Sequence, residues 1–153
     1  MLVSRYPTNT GNEFVLINIH NSAYDDGSLR AEQLSKIDTF AMNEFKKGNF
    51  ILMGGDWNQS PNGFIPKFDQ PFDTVNLSYI PHTFLESWNR YFSDSVPSNR
   101  RIATPYIRGT TPVTVIDYFI ASPNLELSGI NCSDLSFEHS DHQPVAATIR
   151  FRK

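Results

Sequence analysis

Apolar positions along the chain fall into two kinds of run. From Glu13 to His20 the order Phe14, Val15, Leu16, Ile17, Asn18, Ile19 is almost continuously apolar, which predicts a strand covered on both faces. Ile51, Leu52 and Met53 predict a second strand over 50–55, closed by the loop-forming residues of "GGDWNQSPNG". Between these runs Leu34, Ile37, Ala41 and Phe45 recur three and four apart, and Leu29, Phe40 and Met42 widen the stripe. That period predicts a helix over 29–47, capped by Ser28 or Asp26 and closed by Lys46, Lys47 and Gly48. Strand, helix and strand in this order imply a parallel crossover unit.

The rest of the chain is patterned differently. From about 59 to 112 it is rich in Pro, Asn and Ser without a clear period, and "HTFLESWNRYF" reads as a short helix within it. Strands are expected in "TPVTVIDYFIAS", in "LELSGINCSDLSF" with a break, and in "QPVAATIRFRK". The opening "MLVSRYPTNTGNEFVLINIH" enters a strand almost at once, which predicts an edge hairpin or the later part of a longer chain. No internal repeat or linker interrupts this order, so the predicted class is α/β with a mixed sheet.

Composition narrows the function classes. The 153 residues suit one domain with a sizeable core, and 39% hydrophobic with 13% aromatic content excludes a disordered chain. A net charge of -3 supplies no global basic field of the kind that marks stable nucleic-acid binders. The single cysteine, Cys132, excludes an internal disulfide and a cysteine-cluster metal site, and reads as a small buried hydrophobe. No run approaches the roughly 18 apolar residues of a membrane span.

The chemistry concentrates at strand ends. His20, Asp56 with Asn58, Asp117, and Ser140-Asp141-His142 lie at or next to predicted strands, where open α/β sheets place their ligands. Asp117 stands between Ile116 and Tyr118, and a carboxylate buried there costs several kcal/mol, very roughly, unless a partner satisfies it. A histidine from "EHSDHQPV" is the natural partner, since an Asp–His pair raises imidazole basicity and fixes its tautomer. The blander reading of Asp56 and Asn58 is turn chemistry. His82 and His139 read as surface residues, and Arg90, Arg100, Arg101 and Arg108 as solvated loop arginines or phosphate contacts.

Taken in order, "INIH", "GGDWNQSPNG", "VIDYFIAS" and "SDHQPV" resemble the successive motifs of the endonuclease/exonuclease/phosphatase (deoxyribonuclease I-like) superfamily. The resemblance runs from Val15 to Arg150, with Trp57 where members usually carry Phe. It implies half of a four-layered α/β sandwich, with a mixed sheet and one main helix, and a divalent-metal-dependent phosphoesterase acting by in-line water attack. In that pattern His142 is the base or the group that orients the water, and Asp117 pairs with it. Asp56 positions or deprotonates the nucleophile, Asn58 hydrogen-bonds a phosphate oxygen, and His20 contacts the scissile phosphate. Asp141 is a ligand of Mg2+, with Mn2+ as a substitute, and Ser140 orients the turn from behind.

One departure carries weight. The family's first half supplies an Asn, a metal-binding Glu and an acid that partners the histidine at His20. Nothing before His20 plays these parts, Glu13 being badly placed at the start of its strand. Residues 1–153 are thus expected to form the carboxyl-terminal part of such a domain, with the amino-terminal half absent. The expected partners are that half and a phosphate-ester substrate: nucleic acid, phospholipid headgroup or sugar phosphate. One sheet and one helix layer would leave an apolar face able to drive self-association. The alternative is a non-catalytic fragment or binding module with an incomplete metal site.

Overall fold

The structure is a computed structural model that describes residues 1–75 and 77–152. Strands β1 (Leu2–Pro7), β2 (Glu13–His20), β3 (Phe50–Asp56), β4 (Asn89–Tyr91) and β7 (Asp117–Ala121) form a sheet in the order β1-β2-β3-β7-β4. It is mixed: β2 and β3 are parallel, joined by helix α1 (Ser28–Lys46), and the other pairs are antiparallel. The opening segment is an edge hairpin, with Leu2 opposite Asn18 and Pro7 opposite Glu13. Strands β5 (Asn99–Arg100) and β6 (Val113–Thr114) form one small ribbon, and β8 (Leu125–Cys132) and β9 (Val145–Phe151) another. No helix among the described residues is long and apolar enough to cross a membrane.

Each face of the sheet meets a different layer. Val15, Ile17, Ile51, Met53, Tyr118 and Ile120 pack under α1 with Leu34, Ile37 and Ala41, the residues the 3.6-residue period singles out. Burying each of the Val, Leu, Ile and Met side chains stabilises the fold by roughly 1.5–3 kcal/mol. On the opposite face Phe50, Leu52 and Ala121 are buried beneath Leu125 and Leu127, with Phe14, Leu16, Phe119, Ala147 and Ile149 packed alongside. The ribbon β8–β9 therefore covers part of the face expected to be bare, while Leu2 and Tyr6 at its β1 edge stay exposed.

Several local expectations are corrected. The cap of α1 is Gly27, at φ 98°, and neither Ser28 nor Asp26 occupies that position. Asp25 from outside the helix accepts the Arg30 N–H at 2.8 Å, and Asp26 accepts that of Ser28 at 2.9 Å, so the first-turn donors are met by the loop. Residues 82–87 form turns instead of a helix, with Phe84 and Trp88 amides bonded back to Pro81 and Leu85 and with Leu85 at φ 44°. Burial of Phe84, Leu85 and Trp88 in the main core outweighs helical period there. In the stretch expected to be a strand with a break, β8 runs to Cys132 and shifts register between Leu127 and Gly129.

The strand expected over 111–122 is split into β6 and β7. At the break the buried Ser98 hydroxyl accepts the N–H groups of both Ile116 and Asp117, at 3.1 and 3.0 Å, and Ile116 C=O accepts the Trp57 N–H. Asp117 consequently opens β7 instead of lying inside a strand.

Candidate functional site

Register brings three motifs side by side. His20 ends β2 opposite Asp56 at the end of β3, and Asp56 lies opposite Asp117 at the start of the antiparallel β7. Two glycines let β3 pass here. A Cβ on Gly54 would meet the Phe119 ring at 2.4 Å, and one on Gly55, at φ 133°, would lie 2.1 Å from the Ile19 carbonyl oxygen. The next residue, Trp57, is fully buried, stacks on Tyr118 with centroids 5.5 Å apart, and donates its indole N–H to Tyr118 C=O at 3.1 Å. With Trp57 anchored in the core, Asp56 and Asn58 on either side of it face the cleft.

His142 arrives from the turn before β9. Its Nδ1 lies 2.9 Å from Asp117 Oδ2, and its Nε2 lies 3.9 Å from both Asp56 Oδ2 and Asp141 Oδ2. His20 Nε2 approaches the same Asp56 oxygen at 3.7 Å. Ser140 Oγ accepts the His142 N–H at 3.1 Å and so shapes the turn. The Asn99 amide nitrogen lies 3.1 Å from both Asp141 C=O and His142 Nε2. A carbonyl accepts only, so this nitrogen is the donor, and it donates to an Nε2 that carries the lone pair. Nδ1 then bears the proton and gives it to Asp117.

Electrostatics separate the two groups that face each other. The hydrogen bond that His142 donates to Asp117 holds the His142 pKa above 6.5, against the opposing effect of burial. Burial, ahead of the nearby Asp117 charge, raises Asp56 above the ordinary aspartate value, although the Asn58 N–H opposes it. Asn58, at φ 51°, donates its backbone N–H to Asp56 Oδ1 at 2.8 Å. Its side-chain amide donates to Asp56 Oδ2 at 3.1 Å and to Asn21 C=O at 2.8 Å. Turn chemistry and placement in the cleft thus coincide at this residue.

All of His20, Asp56, Asn58, Asp141 and His142 line a cleft of about 930 Å³, with Arg100 and Arg101 on its wall. Arg108 pairs instead with Asp134, and Arg90 is half-buried, donating to the Phe84 and Trp88 carbonyls; neither lines the cleft. His82 and His139 are exposed, and Cys132 is buried, with its thiol pushed up to about 11 by desolvation. Ser98, Asn99 and Asn21, all in contact with this set, escape sequence reasoning. They are short polar residues in or beside aperiodic stretches, where nothing local distinguishes them.

A metal ion fits these residues poorly. No group of three or more His, Cys, Asp or Glu side chains among the described residues could hold one. Asp141 offers a single carboxylate, 42% exposed, beside the cleft.

The fold is that of one half of a deoxyribonuclease I-like α/β sandwich. The APE2 catalytic domain of Xenopus laevis shares it at a TM-score of 0.61 and 18% identity, over 98% of this chain and 54% of that one. A mannosyl-6-phosphatase of Bacteroides thetaiotaomicron does so at 0.56 and 17%, over 94% and 53%. An endonuclease/exonuclease/phosphatase family protein of the same organism matches at 0.56 and 17%, over 95% and 52%. The chain spans about half the length of the solved proteins it matches. No family model matches it, and no curated protein sequence does.

Proposed function

We propose that the chain is the carboxyl-terminal half of a phosphate-ester hydrolase of the endonuclease/exonuclease/phosphatase type. The observation that carries this reading is the His142–Asp117 pair at 2.9 Å, set beside Asp56 in a cleft that a phosphate ester could enter. Asp117 holds the proton on Nδ1 and leaves Nε2 able to take one from an attacking water, once that water displaces the Asn99 amide. The imidazolium that forms is stabilised by Asp117. Asp56, 3.9 Å from the same nitrogen, positions the water, and His20, 77% exposed, reaches the phosphate oxygens. Asn58 holds Asp56 in place. Both its amide hydrogens are committed, so a contact with phosphate requires release of one of them.

Mg2+, or Mn2+ in its place, is the cofactor we assign to the whole protein, with Asp141 as one ligand and the others contributed from outside this chain. The missing ligands favour a second reading, a binding module without catalysis. One experiment separates the two. Expressed in the longest reading frame that contains these residues, the protein should hydrolyse phosphomonoesters or phosphodiesters when Mg2+ is added. The rate should fall by about 10²–10⁴-fold in His142→Ala and in Asp56→Ala. Wild-type rates in both variants would overturn the mechanism, and no hydrolysis by the parent would leave the binding module.

A further inference from the structure

Three arginines line the cleft, and two of them are spoken for. Arg30 pairs with Asp25 at 3.0 Å, and Arg101 reaches Asp73 through Nε at 3.0 Å. Arg100 differs. Its guanidinium touches only carbonyls, those of Arg101 at 3.1 Å and Thr104 at 3.5 Å, and no carboxylate among the described residues lies within ion-pair reach. Its Nε–H, like that of Arg30, is buried without a hydrogen-bond partner among the described residues, so the missing ion pair is what sets it apart. With no carboxylate among the described residues paired to it, the guanidinium keeps an uncompensated charge that an anion in the cleft can meet.

Its place in the chain fixes where that partner would bind. Arg100 follows Asn99, whose amide touches His142, and its backbone N–H donates to the Asp141 carbonyl at 3.0 Å. The guanidinium therefore hangs from the strand that braces the Asp141–His142 turn. The cleft also carries Asp56 and Asp141, and Asp117 stands just behind. An anionic ester entering among these carboxylates is repelled unless a cation meets it, and Arg100 is the unpaired one on the wall.

Resting on the hydrolase reading, we infer that Arg100 is the phosphate-binding residue of the cleft, gripping non-bridging oxygens of the ester through its planar fork. The test uses the chain itself. Inorganic phosphate is titrated at constant ionic strength, and amide and arginine Nε–H resonances are followed by NMR, which also reports whether each variant is folded. Wild type should bind saturably, with the Arg100 Nε–H signal moving. Arg100→Ala should bind at least ten-fold more weakly, and Arg100→Lys, with the charge but not the fork, should fall in between. Arg108→Ala removes the same charge outside the cleft and should change affinity less than two-fold.

Equal weakening in Arg100→Ala and Arg108→Ala overturns the inference, because net charge alone would then explain binding. Unchanged binding in Arg100→Ala overturns it as well, and so does the lack of saturable binding by wild type. Failure of the hydrolase reading looks different: hydrolysis would persist in His142→Ala, whatever Arg100 does.

Discussion

Asp56 and Asp117 stand opposite one another in the antiparallel register of β3 and β7, and one imidazole addresses both. His142 bonds Asp117 through Nδ1 at 2.9 Å while Nε2 stays 3.9 Å from Asp56. The two carboxylates have unlike surroundings. Asp117 has an imidazole proton to accept, whereas burial drives Asp56 toward its neutral form. On the proposed reading, this asymmetry would divide the labour between an orienting acid and a group facing the cleft.

Replacing Asp117 by Asn should lower the His142 pKa, because its largest support is that hydrogen bond. A raised folded-state value means the pair contributes stability below about pH 6.5, lost as pH rises through the folded pKa. In Asp117→Asn the difference in unfolding free energy between pH 5.5 and pH 8.5, roughly the window around the histidine value, should shrink. An NMR titration of the His142 ring gives the pKa directly, and an unchanged value would show that Asp117 does not hold it.

On the proposed hydrolase reading, hydrolysis should rise with pH along a limb whose pKa lies above 6.5, since only neutral Nε2 takes a proton. In Asp117→Asn that limb should move to lower pH and the plateau rate should drop. A pH–rate profile with no limb of this kind argues against His142 as base.

Gly55→Ala should be among the most damaging substitutions in the chain. Its Cβ would sit 2.1 Å from the Ile19 carbonyl oxygen, at a φ of 133° that side chains rarely adopt. A loss of at least about 3 kcal/mol is expected by urea unfolding. A loss below about 1 kcal/mol would mean that β2 and β3 move apart easily at the site.

Ser98→Ala removes the acceptor shared by the Ile116 and Asp117 amides. Two partly buried N–H groups left unmet should cost about 1–3 kcal/mol in denaturant unfolding. Amide exchange at Ile116 and Asp117 should quicken, and unchanged exchange there would deny Ser98 its role at the break.

Far from the cleft, Glu44 sets an acid limit. The Arg5 guanidinium, with help from Lys47 and Asn49, holds the buried Glu44 carboxylate at about 2 despite desolvation. The stability it contributes is present above pH 4.5 and is lost as pH falls toward 2. Solvent reaches Arg5, so the effect should be on the order of 2 kcal/mol, less than the full shift implies. Glu44→Gln should therefore flatten the fall in stability between about pH 5 and pH 2.5. An identical fall in both proteins would assign acid unfolding to other carboxylates.

The β2–α1–β3 unit was legible because its information is local: short apolar runs and a 3.6-residue period lie within a few positions of each residue they describe. His20, Asp56, Asp117 and His142 were legible for a related reason, being polar groups set against apolar strands. Residues 82–92 misled because Phe84, Leu85 and Trp88 are spaced like a helix but packed as core anchors from turns.

What only tertiary structure decided depends on contacts distant in sequence. The Ser98 hydroxyl splits the strand at Ile116 from 18 positions away, and Asn99 reaches His142 across 43. The ribbon β8–β9 packs over Phe50, Leu52 and Ala121 on the sheet face opposite α1. In each case one hydrogen bond or one packed layer joins segments whose residue types are common in any loop. By itself the sequence determined the longer strands and the chemical groups near their ends; packing determined the short strands and which of those groups meet.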